Sequence, residues 1–188
     1  MPDAELKIIL ASASPRRKEL LALAGLAFEV IPSQVEEILP PGLSPTKSAE
    51  YLAAIKATDI SREHPGALII AADTIVVIDD EILGKPRGKA DAARMLRLLS
   101  GREHRVITGV CLLKNTATRV FSQVTYVRFY PLGEDTIEAY VQTGEPMDKA
   151  GAYGIQGKGA LLVEQIAGDY CNVVGLPVAR LLREMEGF

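Results

Sequence analysis

The sequence has little of several residue types. Its 188 residues include no tryptophan, two cysteines and two histidines, and aromatic residues make up 5% of the chain. Cys111 and Cys171 lack the CxxC spacing of a metal or redox motif, and His64 and His104 are too few for a zinc site. We therefore expect no zinc centre and predict that both cysteines are buried thiols.

Strong net charge and long apolar runs are also missing. The formal charge of -3 and the isoelectric point near 5.5 argue against a protein that coats nucleic acid, although they allow a local cationic cleft. The N-terminal stretch MPDAELKIILA is acidic before a short apolar run, which fits neither a signal peptide nor a membrane span. The sequence predicts one cytoplasmic domain over residues 1–188.

The order of apolar patterns predicts an α/β fold, with a mixed sheet flanked by helices. Helices alternate with strands in the first half, and two long strands meet near Asn115 in the second half. A tight turn is expected at Asp79–Asp80. The remaining predicted strands are KIILA (7–11), FEVIPSQVEE (28–37), ALIIAADTIVVI (67–78), ALLVEQIA (160–167) and YCNVVG (170–175).

The predicted helix that begins at Pro15 has three cations in its first turn: Arg16, Arg17 and Lys18. A helix N-terminus is electropositive, so each misplaced cation costs about 0.3–1 kcal/mol unless an anion compensates it. Ser12 and the backbone N–H groups of the first turn add donors for such an anion. The alternative is that Ser14 only caps the helix and the basic side chains are solvated.

Two acids and two lysines elsewhere in the chain suit the same ligand. Asp73 interrupts an apolar strand, where an unpaired carboxylate costs several kcal/mol. Lys56, Lys85 and Glu37 are the other candidates; alone, each lysine reads as a surface residue, and Asp73 could simply bond a loop. Together with the arginines, these four residues suit a polyphosphate with a bound Mg²⁺. The two carboxylates would hold the Mg²⁺, and the cations would neutralise the phosphate oxygens.

Four glycines lie within AGAYGIQGKG (150–159), and glycine lets the backbone approach a ligand closely. The segment does not satisfy the P-loop pattern or GxGxxG. A structural turn is one interpretation. The other is a base-reading loop, because the Gln156 amide has both a donor and an acceptor.

The motifs ASASPRR, VEE, LAAIKA, AADTIVV, LGKP, LSGREH, DKAGAYGIQG and NVVGLP occur in this order from residue 11 to residue 177. This set resembles the Maf family of nucleoside triphosphate pyrophosphatases. The resemblance implies the Maf fold, related in shape to inosine triphosphate pyrophosphatases, with two lobes around a cleft and often a homodimer. It also implies hydrolysis between the α and β phosphates with a divalent metal, Mg²⁺, with Mn²⁺ or Co²⁺ as substitutes.

The resemblance also implies roles for individual residues. Glu37 and Asp73 look like the metal ligands, and Asp73 looks like the proton acceptor. Arg16, Thr74 and Gln156 resemble the residues of the subgroup that acts on dTTP and UTP. Asp80 departs from the glycine that is usual in the hairpin turn. The phosphate-binding set would be Ser12, Arg16, Arg17, Lys56 and Lys85.

Two other functions fit parts of this pattern. A nucleotide-binding regulator of septum formation and cell division, acting through a protein partner, could use the same site, although binding alone would not need both carboxylates. Asp73–Thr74 suggests a phosphatase with an aspartyl nucleophile. This sequence, however, lacks the second aspartate that such an enzyme has two residues later. Pyrophosphate release separates the first alternative from the enzyme, and orthophosphate release would indicate the second.

Overall fold

The computed structural model describes residues 6–188, which form two compact units. Unit 1 comprises the described residues up to Asp73, with Thr108–Ser122 and Gly175–Phe188. Unit 2 comprises Thr74–Ile107 and Gln123–Val174. The boundary between Asp73 and Thr74 therefore falls where the sequence shows a polar pair inside an apolar strand.

Helices and strands alternate at first and are followed by a long hairpin. The strands are β1 (Ile8–Leu10), β2 (Glu29–Val30), β3 (Leu68–Ile78), β4 (Glu81–Leu83), β5 (Glu103–Lys114), β6 (Ala117–Phe129) and β7 (Val163–Ala167). The α-helices are α1 (Pro15–Ala22), α2 (Pro45–Ser61), α3 (Lys89–Leu99), α4 (Glu134–Gln142), α5 (Tyr170–Val174) and α6 (Val178–Met185). Short 3₁₀ helices cover Glu145–Asp148, Ala150–Ala152 and Gly157–Leu162.

One mixed sheet contains the strands of residues 6–188, in the order β2-β1-β3-β5-β6-β7, with β4 paired to β3. β1 is parallel to both of its neighbours, whereas β4 and β7 are antiparallel to β3 and β6. The predicted fold class, a mixed sheet flanked by helices, is confirmed. None of the helices in this part of the chain is both long and apolar enough to cross a lipid bilayer.

Each unit has its own apolar core. In unit 1 the small residues Ala53 and Ala57 of α2 lie against Ile9 of β1 and Ile69 of β3. Gly109 is required there, because a Cβ atom at this position would lie 2.3 Å from the Ala49 backbone. In unit 2 the amphipathic helix α3 buries its apolar side in a core that it shares with residues of β5, β6 and α4. The fully buried members of that core include Leu83, Leu96, Leu99, Val127, Phe129 and Ala152.

The two predicted hairpins are present. Asp79 and Asp80 connect β3 to β4 with φ values of 47° and 63°, the left-handed conformation that a tight hairpin turn uses. Asp80 adopts the conformation in which glycine is preferred, and its carboxylate lies 2.7 Å from Arg105. β5 and β6 are neighbours joined by two residues, Asn115 and Thr116, which requires an antiparallel pair.

The prediction of a strand over 28–37 is wrong for most of its length, because only Glu29–Val30 pair with β1. The segment after Val30 is an irregular loop up to Ser44. Side-chain contacts replace the sheet hydrogen bonds there: Ser33 donates to Asp59 at 2.6 Å, and the Gln34 N–H donates to the same oxygen at 3.2 Å. Glu37 therefore lies in a loop rather than at a strand end.

The prediction of a strand over 170–175 is also wrong, since this segment forms α5. The Asp169 carboxylate accepts hydrogen bonds from the N–H groups of Cys171 at 2.7 Å and Asn172 at 3.3 Å, an arrangement typical of a helix start. Asn172 is fully buried and donates to Val106 O and Thr125 Oγ1. The strand predicted over 160–167 begins only at Val163.

The cysteine prediction is half right. Cys111 is fully buried, and burial raises the pKa of its thiol to about 11. Cys171 is only partly buried, because α5 exposes one side. Both thiols are free.

Candidate functional site

The N-terminus of α1 is built as a donor-rich turn. Pro15 needs no N–H partner at the first helical position, and the Ser14 hydroxyl accepts from the Arg17 N–H at 3.4 Å. The Ser14 N–H in turn donates to Ser12 Oγ at 3.2 Å. The first turn contains no acidic residue. The helix end is therefore electropositive and carries no anion of its own.

Arg17 is fixed by two further contacts. Its Nε donates to the Gly175 carbonyl at 2.8 Å, and its Nη1 donates to Ser12 Oγ at 3.3 Å. Burial lowers the pKa of Arg17, and the nearby Asp73 opposes this shift, as Glu37 does to a smaller degree. Because a guanidinium stays protonated in proteins, Arg17 is a fixed, preoriented cation beside two acids.

Asp73 is a buried carboxylate whose charge is balanced by a lysine. It lies in β3, 8% exposed, and Lys56 of α2 donates to its Oδ1 at 2.6 Å. β1 and β3 run parallel, with Leu10 opposite Ile70. Ser12 comes two residues after Leu10 and Asp73 three residues after Ile70, so the two lie at nearly the same height along neighbouring chain segments. The structure therefore brings Ser12, Arg17, Lys56 and Asp73 into one region of unit 1.

Glu37 joins this group through Lys56, whose Nζ lies 3.0 Å from Glu37 Oε1. The Glu37 side chain is 52% exposed, whereas those of Lys56 and Asp73 are 13% and 12% exposed. The loop that carries Glu37 is tied to α2 by Asp59, one helical turn after Lys56. Hydrogen bonding from Ser33 is the main reason that the pKa of Asp59 is lowered.

The two carboxylates fit a hard divalent cation. Within residues 6–188 there is no group of three or more His, Cys, Asp or Glu side chains that could hold a metal. Mg²⁺ does not require one, because it is commonly held by one or two carboxylates, water and substrate phosphates. The Lys56 ammonium, in contact with both acids, marks a place where positive charge is already stabilised.

Lys85 and Gln156 belong to unit 2. β4 returns along β3 as predicted, with Val76 opposite Leu83, and Lys85 follows as an exposed residue. Lys85 lines a cavity of about 420 Å³ together with Arg87, Asp91 and Arg94. Thr74 directly follows Asp73 in β3. That Lys85, Thr74 and Gln156 act on the same ligand as the unit 1 residues stays a prediction.

Gln156 is an exposed side chain on a tied backbone segment. The flanking Ile155 is buried, and Gly154 donates its N–H to the Tyr140 hydroxyl at 3.2 Å. Burial raises the pKa of Tyr140 to about 12, with a smaller contribution from the negative charge of Glu145, so its hydroxyl stays protonated. The loop therefore presents a polar amide from a defined position.

Sequence reasoning missed the residues that support these side chains. Asp59 accepts from the Ser33 hydroxyl and the Gln34 N–H, and Glu145 accepts from backbone N–H groups. The Gly175 carbonyl that orients Arg17 leaves no trace in composition or periodicity. Only the Asp169 cap had a local signal, an acid just before the start of α5.

Comparisons with known proteins identify the family of this chain. Residues 7–188 match the family described as Maf-like protein. The chain is 51% identical over 182 residues to a "dTTP/UTP pyrophosphatase" of Bacillus pumilus, a match that covers 97% of this chain and 96% of the relative. The protein of the same name from Bacillus velezensis is 53% identical over 182 residues, with 97% and 96% coverage.

A further relative from Geobacillus sp., also named "dTTP/UTP pyrophosphatase", is 50% identical over 180 residues and covers 96% of this chain and 97% of its own length. Among solved structures, the Staphylococcus aureus Ham1 protein shares the fold with a TM-score of 0.57, 16% identity, and coverage of 96% of this chain and 98% of that one. On the match over residues 7–188 and identities of about half of all positions, this chain belongs to the Maf family.

Proposed function

We propose that this protein is a nucleoside triphosphate pyrophosphatase that hydrolyses dTTP and UTP between the α and β phosphates. The observation that carries the proposal is the buried Asp73 carboxylate, which lies 2.6 Å from Lys56 and is close enough to Arg17 for its charge to oppose the lowering of the Arg17 pKa by burial. The names of the relatives, which are about 50% identical over nearly their whole length, support the same activity.

The positive groups of unit 1 suit a triphosphate. The N-terminal N–H groups of α1 and the Ser12 hydroxyl provide donors, and the Arg17 guanidinium can bind two phosphate oxygens at once. Arg16 and Lys56 add charge that offsets the negative charge developing on the departing pyrophosphate. We include Lys85 in this phosphate-binding set.

The metal ligands in this proposal are Glu37 and Asp73. A bound divalent cation, Mg²⁺ with Mn²⁺ or Co²⁺ as substitutes, would supply charge neutralisation for the phosphate oxygens. The acids would then exchange their contact with Lys56 for the cation, which frees the ammonium for phosphate.

We assign the role of proton acceptor to Asp73. Its carboxylate would orient a water molecule and take its proton as the new oxygen–phosphorus bond forms at the α phosphate. The anhydride bond to the β phosphate breaks at the same time, and its electron pair leaves with pyrophosphate. The products are the nucleoside monophosphate and pyrophosphate.

Selection of the base rests on Arg16, Thr74 and Gln156. The Gln156 amide N–H can donate a hydrogen bond to the O4 oxygen of uracil or thymine, while the amide oxygen accepts a hydrogen bond from the N3–H group. Both bases present this same edge, which agrees with activity on dTTP and UTP together.

The test is a panel of nucleoside triphosphates with Mg²⁺, with pyrophosphate and orthophosphate measured separately. The expected result is pyrophosphate release with a preference for dTTP and UTP. Asp73→Asn should lower kcat by about 10² to 10⁴, the usual effect of losing a general base. Asp79→Asn is the matched control, since Asp79 lies in the exposed turn after the same strand and pairs with Arg102.

The proposal is contradicted by binding without release of pyrophosphate, as expected of a nucleotide-binding regulator, or by near-native turnover in Asp73→Asn. Orthophosphate as the first product would also contradict it. A single functional domain over residues 1–188, a homodimer and a cytoplasmic location stay predictions.

A further inference from the structure

The segment Gly154–Gly159, here the Gln156 loop, is closed by contacts that involve its backbone. A Cβ atom at Gly159 would lie 2.0 Å from the Gly154 carbonyl oxygen and 2.7 Å from the Tyr140 hydroxyl. The two ends of the loop therefore touch, and only glycine fits at that point. Gln156 is exposed near the middle of this closed loop.

Glu145 holds the far side of the loop. Its Oε1 accepts from the Lys158 N–H at 3.2 Å, and its Oε2 accepts from the Gly159 N–H at 3.4 Å. A Cβ atom at Gly157 would approach the same two oxygens at 3.0 and 3.1 Å, so the carboxylate lies directly against the backbone next to Gln156.

Glu145 is itself well fixed. Its N–H donates to Thr143 Oγ1 at 3.1 Å, and its carbonyl accepts from Lys149 Nζ at 2.6 Å. The aliphatic part of Lys149 covers Gly154, because a Cβ atom there would lie 2.8 Å from Lys149 Cδ and Cε. Glu145 thus connects the segment that follows α4 to the loop that carries Gln156.

Hydrogen bonding by an amide cannot by itself separate the bases. Thymine and uracil present an acceptor at O4 and a donor at N3, and guanine presents the same pair at O6 and N1. Guanine differs in size, because its fused ring system is wider than a pyrimidine. An amide held at a fixed distance can therefore reject guanine, whereas an amide on a loose loop can retreat and admit it.

We infer that Glu145 is a positioning residue that excludes purine nucleotides by holding Gln156 at a fixed distance from the base, with Tyr140 as the second tether. This inference rests on the proposed function, in which Gln156 contacts the base. It deepens that function by assigning purine exclusion to the rigidity of the Gln156 loop.

The experiment measures binding rather than turnover. The full chain is titrated with α,β-imido analogues of dTTP and dGTP, and the ratio of the two dissociation constants is compared among variants. Glu145→Ala should lower the preference for the dTTP analogue by about tenfold, the size expected when one well-placed contact is lost. Glu145→Gln, which keeps one acceptor, and Tyr140→Phe should give smaller losses in the same direction.

A double-mutant cycle separates positioning from general damage. In a Gln156→Ala background, Glu145→Ala should change the ratio less than about twofold, because there is no amide left to position. Glu134→Ala is the matched control: this exposed carboxylate on α4 pairs with Arg97 outside the loop and should leave the ratio unchanged. Hydrogen exchange of the Lys158 and Gly159 amides should accelerate in Glu145→Ala and stay unchanged in Glu134→Ala.

The inference is overturned if Glu145→Ala keeps the wild-type ratio, if its full effect persists without Gln156, or if the wild-type protein binds both analogues equally. Failure of the proposed function would look different, since the protein would bind the analogues with this preference yet release no pyrophosphate from dTTP. Tyr140→Phe keeps the test decisive if Glu145→Ala does not fold, because it removes one hydroxyl from a buried ring.

Discussion

Lys56 is the residue that balances the two acids of unit 1. Its ammonium contacts Asp73 at 2.6 Å and Glu37 at 3.0 Å. Lys56→Met keeps the apolar part of the side chain and removes the charge, so the buried Asp73 loses its partner. We expect a loss of about 1–3 kcal/mol in the free energy of unfolding without metal, less than for a fully buried pair.

The same variant should bind Mn²⁺ more tightly in the absence of nucleotide, because two carboxylates are released from the ammonium. Calorimetric titration and thermal unfolding measure the two effects. Lys47→Met on the same helix is the control, as its exposed side chain pairs only with Glu50 among the ion pairs of the described residues. Unchanged metal affinity in Lys56→Met would contradict the assignment of this carboxylate pair.

Glu37 and Glu36 form a natural matched pair for testing the metal site. Both are exposed neighbours in the loop, but only Glu37 contacts Lys56. Glu37→Gln should raise the Mg²⁺ concentration for half-maximal activity by about tenfold or more, since ligand charge controls affinity. Glu36→Gln should leave it unchanged. Equal effects of the two substitutions would indicate a general charge effect rather than a ligand.

At the scale of elements, the loop between β2 and α2 depends on Asp59. Asp59→Ala removes acceptors from the Ser33 hydroxyl and the Gln34 N–H, each such bond being worth about 1–2 kcal/mol. Hydrogen exchange over 33–37 should accelerate, and the Mg²⁺ requirement should rise as Glu37 becomes less well placed. Glu63→Ala, an exposed acid beyond the end of α2, is the control.

A second element-scale prediction concerns the turn between β3 and β4. Asp80 has a φ of 63°, which glycine adopts without steric cost, and its exposed contact with Arg105 contributes little. Asp80→Gly should therefore stabilise the protein by up to about 1 kcal/mol. Asp80→Val should destabilise it, and Asp80→Asn should lie close to wild type. Thermal unfolding of the three variants measures the order, and a destabilised glycine variant would contradict it.

These elements also show what the sequence can and cannot predict. Helix α3 and the hairpin of β5 and β6 followed from local apolar patterns and turn residues. The loop after Val30 did not, because the Asp59 that holds Ser33 lies 26 residues away. α5 has the β-branched, apolar composition of a strand, and the Asp169 cap together with burial of Asn172 makes it a helix.

The candidate site follows the same division. Asp73 was recognisable because a carboxylate in an apolar strand needs a partner, and Lys56 is that partner in the structure. The supports of the site were not recognisable. Glu145 accepts from a backbone N–H group, and Arg17 donates to the backbone carbonyl of Gly175. Hydrogen bonds to the backbone of a distant segment leave no pattern in the sequence.

At the scale of the whole molecule, the two units should respond differently to acid. His104 is 2% exposed within the core of unit 2, where its Nε2 lies 2.7 Å from the Tyr153 hydroxyl and its ring meets Phe129 edge to face. Burial lowers the pKa of His104 from its ordinary 6.5 to about 4. The folded protein therefore keeps this ring neutral under conditions in which an unfolded chain binds a proton.

The sign of the effect follows from proton binding. Below pH 6.5 the unfolded chain takes up a proton that the folded protein does not, so stability falls as the pH decreases towards 4. The stabilisation is complete above pH 6.5, and the loss by pH 4 is on the order of 3 kcal/mol. Unit 2 has no second histidine, since His64 lies in unit 1.

Hydrogen exchange at pH 7 and pH 4.5 tests this prediction unit by unit. In the wild-type protein, amides of the unit 2 core should lose more protection on acidification than those of unit 1. His104→Gln keeps a polar group near Tyr153 but cannot take up the proton, so its unfolding free energy should vary less between the two pH values, whatever its absolute stability. His64→Gln should keep the wild-type pH dependence. A His104→Gln variant with the full wild-type slope would assign the acid sensitivity to carboxylates instead, because protonation of the acids paired in the folded state is the other source of acid unfolding.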